Sequence, residues 1–266
     1  MGEKIRADLL LCKLNLAESR EKAKNMIQSG VVFLGSEKIS KPSLLLNESD
    51  LPEIRGETLK YVSRGGLKLE KAINLFKIDL QNKVCIDIGA STGGFTDCML
   101  QNGAKKVYAV DVGTNQLHEK LKSDARVVNL EKTNARNITK ETVPEGIDFI
   151  SCDVSFISLK IILPVIKELL SGYSEAMCLI KPQFEAGKQN IGKNGVVKDK
   201  SVHCSVLKDI CDFALSLGLS ISGLSYSPIK GPEGNIEYLI YLKKNDILTV
   251  SDINIKDIVE KSHKEL

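Results

Sequence analysis

An apolar run, Val84-Cys85-Ile86, ends in Asp87-Ile88-Gly89-Ala90-Ser91-Thr92-Gly93-Gly94-Phe95, so a carboxylate stands just ahead of a glycine-rich turn. Glycine has no Cβ, which lets main chain lie against a bulky ligand, and a helix opening near Thr92 would aim its free N–H groups there. The spacing is D-x-G-x-x-x-G-G, not the G-x-G-x-x-G that admits a pyrophosphate, and Asp87 would bring negative charge beside the ligand. A zwitterionic or cationic ligand suits this loop, and S-adenosylmethionine, with its sulfonium and amino group, fits that description. Alone, the loop reads equally well as an ordinary strand-to-helix turn. A second carboxylate, Asp111, closes the apolar run 106–110, where nucleotide-binding α/β folds place the group that grips ribose hydroxyls. A third strand, 126–130, leads to Asn134 in the position that faces adenine. The expected cofactor contacts are therefore Asp87, Gly89, Ser91, Thr92, Gly93, Gly94, Phe95, Asp111 and Asn134.

A second set of residues could carry out a reaction. Asp153 closes the strand-like run 147–152 and Lys181 closes 176–180. Open α/β sheets put their chemistry at the carboxyl ends of the strands, so both face one crevice. Glu237 stands near the start of the run 236–242, and joins them if that strand is antiparallel to the rest. Lys68 follows Gly65-Gly66 at the head of a segment with helical period. Two amines and two carboxylates beside a sulfonium suit attack by a hydroxyl, a poor nucleophile that needs alignment and loss of a proton. Lys181 is the expected base. It must spend time neutral, which a second ammonium at Lys68 would favour by repulsion, while Asp153 and Glu237 oppose that shift and orient the amines. A lysine that only positions the hydroxyl, with the proton lost to water, is the alternative. Singly, each residue also has a plainer reading: a solvated lysine, or an acid on a sheet edge.

These groups need a sheet to hold them, and the chain supplies a regular alternation for one. After the first three strands come a strand at 147–153, a helix at about 156–170, a strand at 176–181, a helix at about 202–217, and strands at 219–224 and 236–242. The fold class expected is α/β, a Rossmann-like, mostly parallel seven-stranded sheet, with a small α+β domain ahead of it. The first 60 residues have a different rhythm. Ile5, Leu9, Leu10 and Leu14, then Ala23, Met26 and Ile27, recur at helical spacing, and short extended pieces flank a turn at Gly35-Ser36. The division expected is 1–59, a linker at 60–66, and 67–266. Beyond Asp246, Ile253, Ile255, Ile258 and Val259 again show helical spacing, without an evident functional reading.

The 266 residues are 42% hydrophobic, enough for a substantial core, and the net charge of +3 means that any nucleic-acid surface is a local patch. The seven cysteines include no C-x-x-C pair and read as reduced core residues; no metal site is expected. No apolar stretch approaches the ~20 residues of a membrane-spanning helix, and the charged start lacks a signal core, so a cytoplasmic location without membrane contact is expected.

Residues 1–59 resemble the small RNA-binding module first named from a small-subunit ribosomal protein, through Arg6, Asp8, Leu14, Ser19, Arg20, Ala23, Ile27, Gly30, Val32, Gly35, Lys41 and Pro42. The resemblance implies RNA contacts at Arg6, Arg20, Lys24 and Lys41. Arg64 in the joint, and Lys188 and Lys193 in the basic, glycine-threaded segment 181–200, are expected to touch RNA phosphates as well. A solvated helix face and a surface loop are the plainer readings of those charges. The set Lys68, Asp153, Lys181 and Glu237 is similar to the tetrad of heat-shock-type ribose 2′-O-methyltransferases.

Nearly the whole chain, 3 to about 245, resembles the TlyA family, also called the hemolysin A family. The specific stretches are Ser63-Arg64-Gly65-Gly66-Leu67-Lys68-Leu69, Asp87 to Phe95, Cys152-Asp153-Val154-Ser155-Phe156-Ile157-Ser158, Ile180-Lys181-Pro182-Gln183-Phe184-Glu185 and Gly231-Pro232-Glu233-Gly234-Asn235-Ile236-Glu237. The family implies an enzyme that moves methyl from S-adenosylmethionine to the 2′-hydroxyl of cytidines in ribosomal RNA. Its targets are the large subunit and, in longer members, the small subunit too, with capreomycin and viomycin sensitivity as a consequence. Some relatives carry Arg-Ala-Trp-Val where this chain has Leu59-Lys60-Tyr61-Val62, which leaves dual-subunit activity open. Ribosomal RNA and ribosomal subunits are the expected partners, with no protein partner indicated. Two rival readings belong to other classes: a membrane-lysing protein, as the family name suggests, and a non-catalytic assembly factor that keeps the cofactor fold as a scaffold.

Overall fold

The computed structural model describes residues 4–55, 59–231, 233–244 and 252–266, and of residues 21, 25, 28 and 29 the backbone alone. Residues 1–3 at the charged start, Glu57 and Thr58 in the expected joint region, Pro232, and the head of the C-terminal stretch at 245–251 lie outside the described residues. The chain divides into two compact units, Met1–Lys60 and Tyr61–Leu266.

The first unit runs β1 (Lys4–Arg6), α1 (Ala7–Lys13), α2 (Arg20–Ser29), β2 (Val32–Leu34), β3 (Glu37–Lys38), β4 (Leu45–Asn47) and β5 (Glu53–Ile54). Ser19 caps α2 by accepting the Lys22 N–H at 3.2 Å, and Gly30, at φ +77°, ends it in the left-handed conformation that favours glycine. The apolar faces of the two helices, Ala7, Leu10 and Leu11 against Ala23, Met26 and Ile27, close over Val32 and Ile39 into a small core. β1 pairs antiparallel with β4, and β2 lies between β3 and β5. β1, β4 and β5 had no sequence signal, because two or three residues are too few to show alternation.

The second unit continues with α3 (Gly66–Phe76), β6 (Val84–Ile88), α4 (Gly94–Gln101), β7 (Lys106–Val110), α5 (Glu119–Lys122), β8 (Val127–Leu130), β9 (Phe149–Cys152), α6 (Leu159–Leu169), β10 (Glu175–Ile180), α7 (Pro182–Glu185), α8 (Lys200–Ser216), β11 (Ser220–Tyr226), β12 (Tyr238–Lys243) and α9 (Ile255–Glu265). The seven strands lie in the order β11-β12-β10-β9-β6-β7-β8, with β12 alone antiparallel to its neighbours. Both faces are covered, as a buried parallel sheet requires. Residues of α6, α8 and α9 pack with Ile86, Ile150, Cys178 and Tyr238 on one face, while α3 and α4 pack with Cys85, Phe149, Met177 and Leu239 on the other.

Residues 61–66, expected as part of a flexible linker, belong to this second unit. Tyr61 is buried in its core and donates from its hydroxyl to Glu70 at 3.0 Å, and the Val62 N–H donates to Asp97 at 2.9 Å. Gly66 packs so closely on the Tyr61 ring that a Cβ there would lie 2.4 Å from it. An aromatic with an apolar body gains more by burial than a linker gains from the backbone freedom of Gly65-Gly66.

Candidate active site

The strand register gathers the site. In the antiparallel pairing of β10 with β12, Ile180 stands opposite Tyr238, so one step forward from β10 and one step back from β12 puts Lys181 beside Glu237. In the parallel pairs, Ile88 stands beside Cys152, and Gly89 therefore meets Asp153. The contact is tight: Gly89 has φ +83°, and a Cβ on it would lie 2.4 Å from the Asp153 carbonyl oxygen. Only glycine fits there.

Lys68 reaches the same point from the first turn of α3, whose buried face is Lys68, Leu69, Ala72 and Ile73. Its Nζ lies 2.6 Å from Glu237 Oε2 and 3.3 Å from Asp153 Oδ2. Lys181 Nζ lies 2.5 Å from the other oxygen of the same carboxylate, Asp153 Oδ1, and donates to Ser155 Oγ at 3.0 Å. The chain Glu237, Lys68, Asp153, Lys181 thus alternates in sign and is formally neutral. Burial works against the charged form of Lys68, but Asp153 and Glu237 outweigh it and raise its pKa above the ordinary lysine value. Lys68 is a fixed ammonium. Among the described residues, Glu237 Oε1 is buried without a hydrogen-bond partner, and the ion pair of that carboxylate is with Lys68.

Beside this cluster lies a cavity of about 480 Å³ whose lining includes Gly89, Ser91, Asp111, Val112, Gln116, Asn134, Asp153, Ser155 and Phe156. That is the size of a small-molecule site. The turn above it is strongly curved, with Ser91 at φ +49° and Gly93 at φ +93°. Asp111 stands at the end of β7 and accepts the Ser91 N–H at 2.7 Å through Oδ2 and the Gly113 N–H at 2.7 Å through Oδ1. Each oxygen keeps a lone pair for a further donor, as a diol requires. Asn134 Oδ1 accepts the Arg136 N–H at 3.0 Å.

Of the nine expected cofactor contacts, Gly89, Ser91, Asp111 and Asn134 line the cavity; Asp87, Thr92, Gly93, Gly94 and Phe95 do not. Asp87 is fully buried beneath the turn, where its carboxylate accepts from Thr96 Oγ1 at 2.7 Å and Ser151 Oγ at 3.0 Å. Burial pushes its pKa up to about 6. It supports the turn from below instead of facing the ligand, because the last residues of a central strand alternate between faces. Phe95 is core, and Gly94 makes room for the 63–66 segment, since a Cβ there would lie 2.3 Å from Ser63 Oγ.

Sequence reasoning missed Phe156. It sits at φ +63°, is 91% exposed, and packs against Phe184 with ring centroids 5.1 Å apart. A bulky residue held in the left-handed region and turned to solvent is strained, and such strain gathers at functional sites. Ser155 and Gln116 were missed as site residues as well; Ser155 and Phe156 lie in the family-like stretch 152–158, which is the signal that could have found them, and nothing in the spacing of Gln116 marks it.

The expected RNA contacts divide into two kinds. Asp8 is fully buried and anchors two guanidinium groups, accepting from Arg6 Nε at 2.9 Å and Nη2 at 3.0 Å and from Arg20 Nε at 2.9 Å. Lys24, Lys41, Arg64, Lys188 and Lys193 are exposed. Segment 181–200 is less free than its glycines suggest, because the Val197 N–H donates to Asn235 Oδ1 at 3.0 Å and Asn235 Nδ2 donates to the Gly195 carbonyl at 2.9 Å.

A parallel sheet with one antiparallel strand, a glycine turn over a nucleoside-sized cavity and an ion cluster of two lysines and two acids that meets the cavity at Asp153 define an S-adenosylmethionine-dependent methyltransferase of the Rossmann-like class. The chain belongs to the FtsJ-like methyltransferase family, whose model matches residues 61–244. It is 48% identical to YqxC of Bacillus subtilis, described as a candidate rRNA methyltransferase, over 100% of this chain and 96% of that protein. It is 36% identical to the 16S/23S rRNA (cytidine-2′-O)-methyltransferase TlyA of Mycobacterium tuberculosis, over 100% of this chain and 99% of that one. A solved structure from Streptococcus thermophilus, described as a candidate hemolysin, superposes with a TM-score of 0.79 at 46% identity, covering 100% of this chain and 98% of the other. Among the described residues no helix is long and apolar enough to cross a membrane.

Proposed function

We propose that this protein transfers methyl from S-adenosylmethionine to the ribose 2′-hydroxyl of cytidine in ribosomal RNA, with residues 4–55 and the exposed lysines gripping the RNA of a ribosomal subunit. The observation that carries this reading is the placement of Lys68 and Lys181 on opposite oxygens of Asp153, which itself lines the cavity.

The residues present fit the donor. Gly89 leaves main chain bare against the cavity, Asp111 offers a carboxylate for a ribose diol, and Val112, 71% exposed, offers apolar surface for a base. Bound there, the donor supplies an electrophilic methyl on sulfur and leaves as a neutral thioether. Lys68 remains charged and fixes Asp153 from one side. To act as base, Lys181 first gives one proton to water; the neutral amine then keeps two N–H groups toward Asp153 and Ser155, and its lone pair takes the ribose hydroxyl proton as the O–CH₃ bond forms. Phe156 and Phe184 stand at the rim as apolar surface for the target nucleotide.

The test is transfer of labelled methyl into isolated 50S and 30S subunits lacking the modification, followed by mapping of the labelled nucleotide. Label in a cytidine ribose bears the reading out; label on a base, or none, sinks it. Release of dye from liposomes by purified protein would favour the membrane-lysing reading instead.

A further inference from the structure

The C-terminal helix α9, which the methyl-transfer reading leaves without a role, is joined to the site by a buried line of polar groups. His203 in α8 is fully buried, with Nε2 3.0 Å from the Val197 carbonyl and Nδ1 2.6 Å from the Tyr238 hydroxyl. Tyr238 Oη in turn lies 3.1 Å from Ser262 Oγ of α9, which is also fully buried. The direction of these bonds follows from their ends. A carbonyl can only accept, so Nε2 carries the proton; burial, with the nearby His263 adding to it, keeps the ring neutral, so Nδ1 accepts from Tyr238. Ser262 Oγ also lies 2.8 Å from the Val259 carbonyl of its own helix, so its one proton is shared between that carbonyl and Tyr238.

This line ends on two segments that bear on the crevice. Tyr238 follows Glu237 directly, and the two side chains point to opposite faces of the sheet, so the line acts on Glu237 through the backbone. Val197 belongs to the turn already held by Asn235, two residues before Glu237. Glu237 is thus fixed from both sides, at Asn235 and at Tyr238, and both fixings run to the same turn. The backbone matters here because, among the described residues, the Glu237 carboxylate has one ion pair and an oxygen without a hydrogen-bond partner, so its direction depends on where its main chain is held.

We propose that His203, Tyr238 and Ser262 are positioning residues through which α9 fixes Glu237, and with it the Lys68 ammonium, in register with Asp153 and Lys181. The proposal rests on the methyl-transfer reading. Tyr238→Phe removes one hydroxyl that touches neither cavity nor ion cluster, and leaves Nδ1 of a buried imidazole without a partner. The expected result is about a tenfold fall in kcat, with the KM for S-adenosylmethionine unchanged and faster hydrogen–deuterium exchange at the Val197 amide. Ser262→Ala should act in the same direction more weakly, and Ser262→Thr, which keeps the hydroxyl, should restore kcat. His203→Gln combined with Tyr238→Phe should be no worse than Tyr238→Phe alone. A fall in Tm with kcat and Val197 exchange unchanged would overturn the proposal, and so would equal kcat in Ser262→Ala and Ser262→Thr. Should Tyr238→Phe fail to fold, the two Ser262 variants decide. If the wild-type protein leaves ribosomal RNA unmethylated, the methyl-transfer reading falls, while exchange at Val197 in the Ser262 variants still tests the fixing itself.

Discussion

Two places in this molecule solve the same electrostatic problem differently. In the first unit, buried Asp8 holds Arg6 and Arg20; in the second, Asp153 holds Lys68 and Lys181, with Glu237 as a second acid. The two arginine side chains are 37% and 50% exposed, whereas the two lysine side chains are 8% and 9% exposed. Asp8 with two cations keeps one positive charge for an outside partner; the lysine cluster is neutral and closed. Arginine never gives up its proton and presents a planar fork that matches phosphate, while a lysine in a desolvated site can exchange one. The first arrangement suits an anion. The second suits the proton transfer proposed for it.

The largest expected effect lies in the second cluster. Lys181→Ala should lower methyl transfer by about 10³-fold with cofactor KM unchanged, the scale of a lost general base, whereas Arg20→Ala should leave kcat alone. Steady-state kinetics on ribosomal subunits with both variants tests the division of labour, and equal loss of kcat would break it. Asp153→Asn should cost about 10²-fold, because it takes away the carboxylate that both amines share while Glu237 still holds Lys68; a variant as active as wild type would show that the cluster is structural only.

The first cluster should respond to salt. Arg6→Ala with Arg20→Ala should weaken rRNA binding about tenfold and flatten the plot of log affinity against log salt by roughly 0.9 for each phosphate that is no longer neutralised. Binding measured across a salt series reads both numbers, and an unchanged slope would remove these arginines from the RNA interface.

The smallest effect concerns two buried carboxyls and sharpens the contrast by sign. Arg6 and then Arg20 hold the Asp8 carboxyl down at about 2, so its contribution to stability is complete above the unfolded value of about 3.9 and is lost as pH falls toward 2. Burial holds Asp87 up at about 6, so its contribution is largest below pH about 4 and is lost as pH rises through 6. Urea unfolding at a series of pH values should show Asp87→Asn flattening the window from 4 to 6, and Asp8→Asn flattening the window below 4.

Much of the fold could be read along the chain, because buried strands of a parallel sheet are apolar runs and amphipathic helices repeat at 3.6 residues. β6, β7, β10 and α8 fall within a few residues of their expected places. Strands as short as β1 and β5 carry too little pattern, and residues 61–66 read as a joint because two adjacent glycines hide the burial of Tyr61.

The sequence by itself determined that two lysines and two acids stand at the ends of strands and at the head of a helix, and that a glycine turn precedes a nucleoside-sized site. Those facts follow from local periodicity and from what each residue type can do. Only the tertiary structure decided which side of the sheet each of them faces: that Asp87 supports the turn from below, that Phe156 stands strained at the rim, and that Asp153 is shared by both amines. Side chains alternate from one residue to the next along a strand, so a shift of one position in register exchanges a ligand contact for a core residue, and register is fixed only when all seven strands and both helix layers pack together.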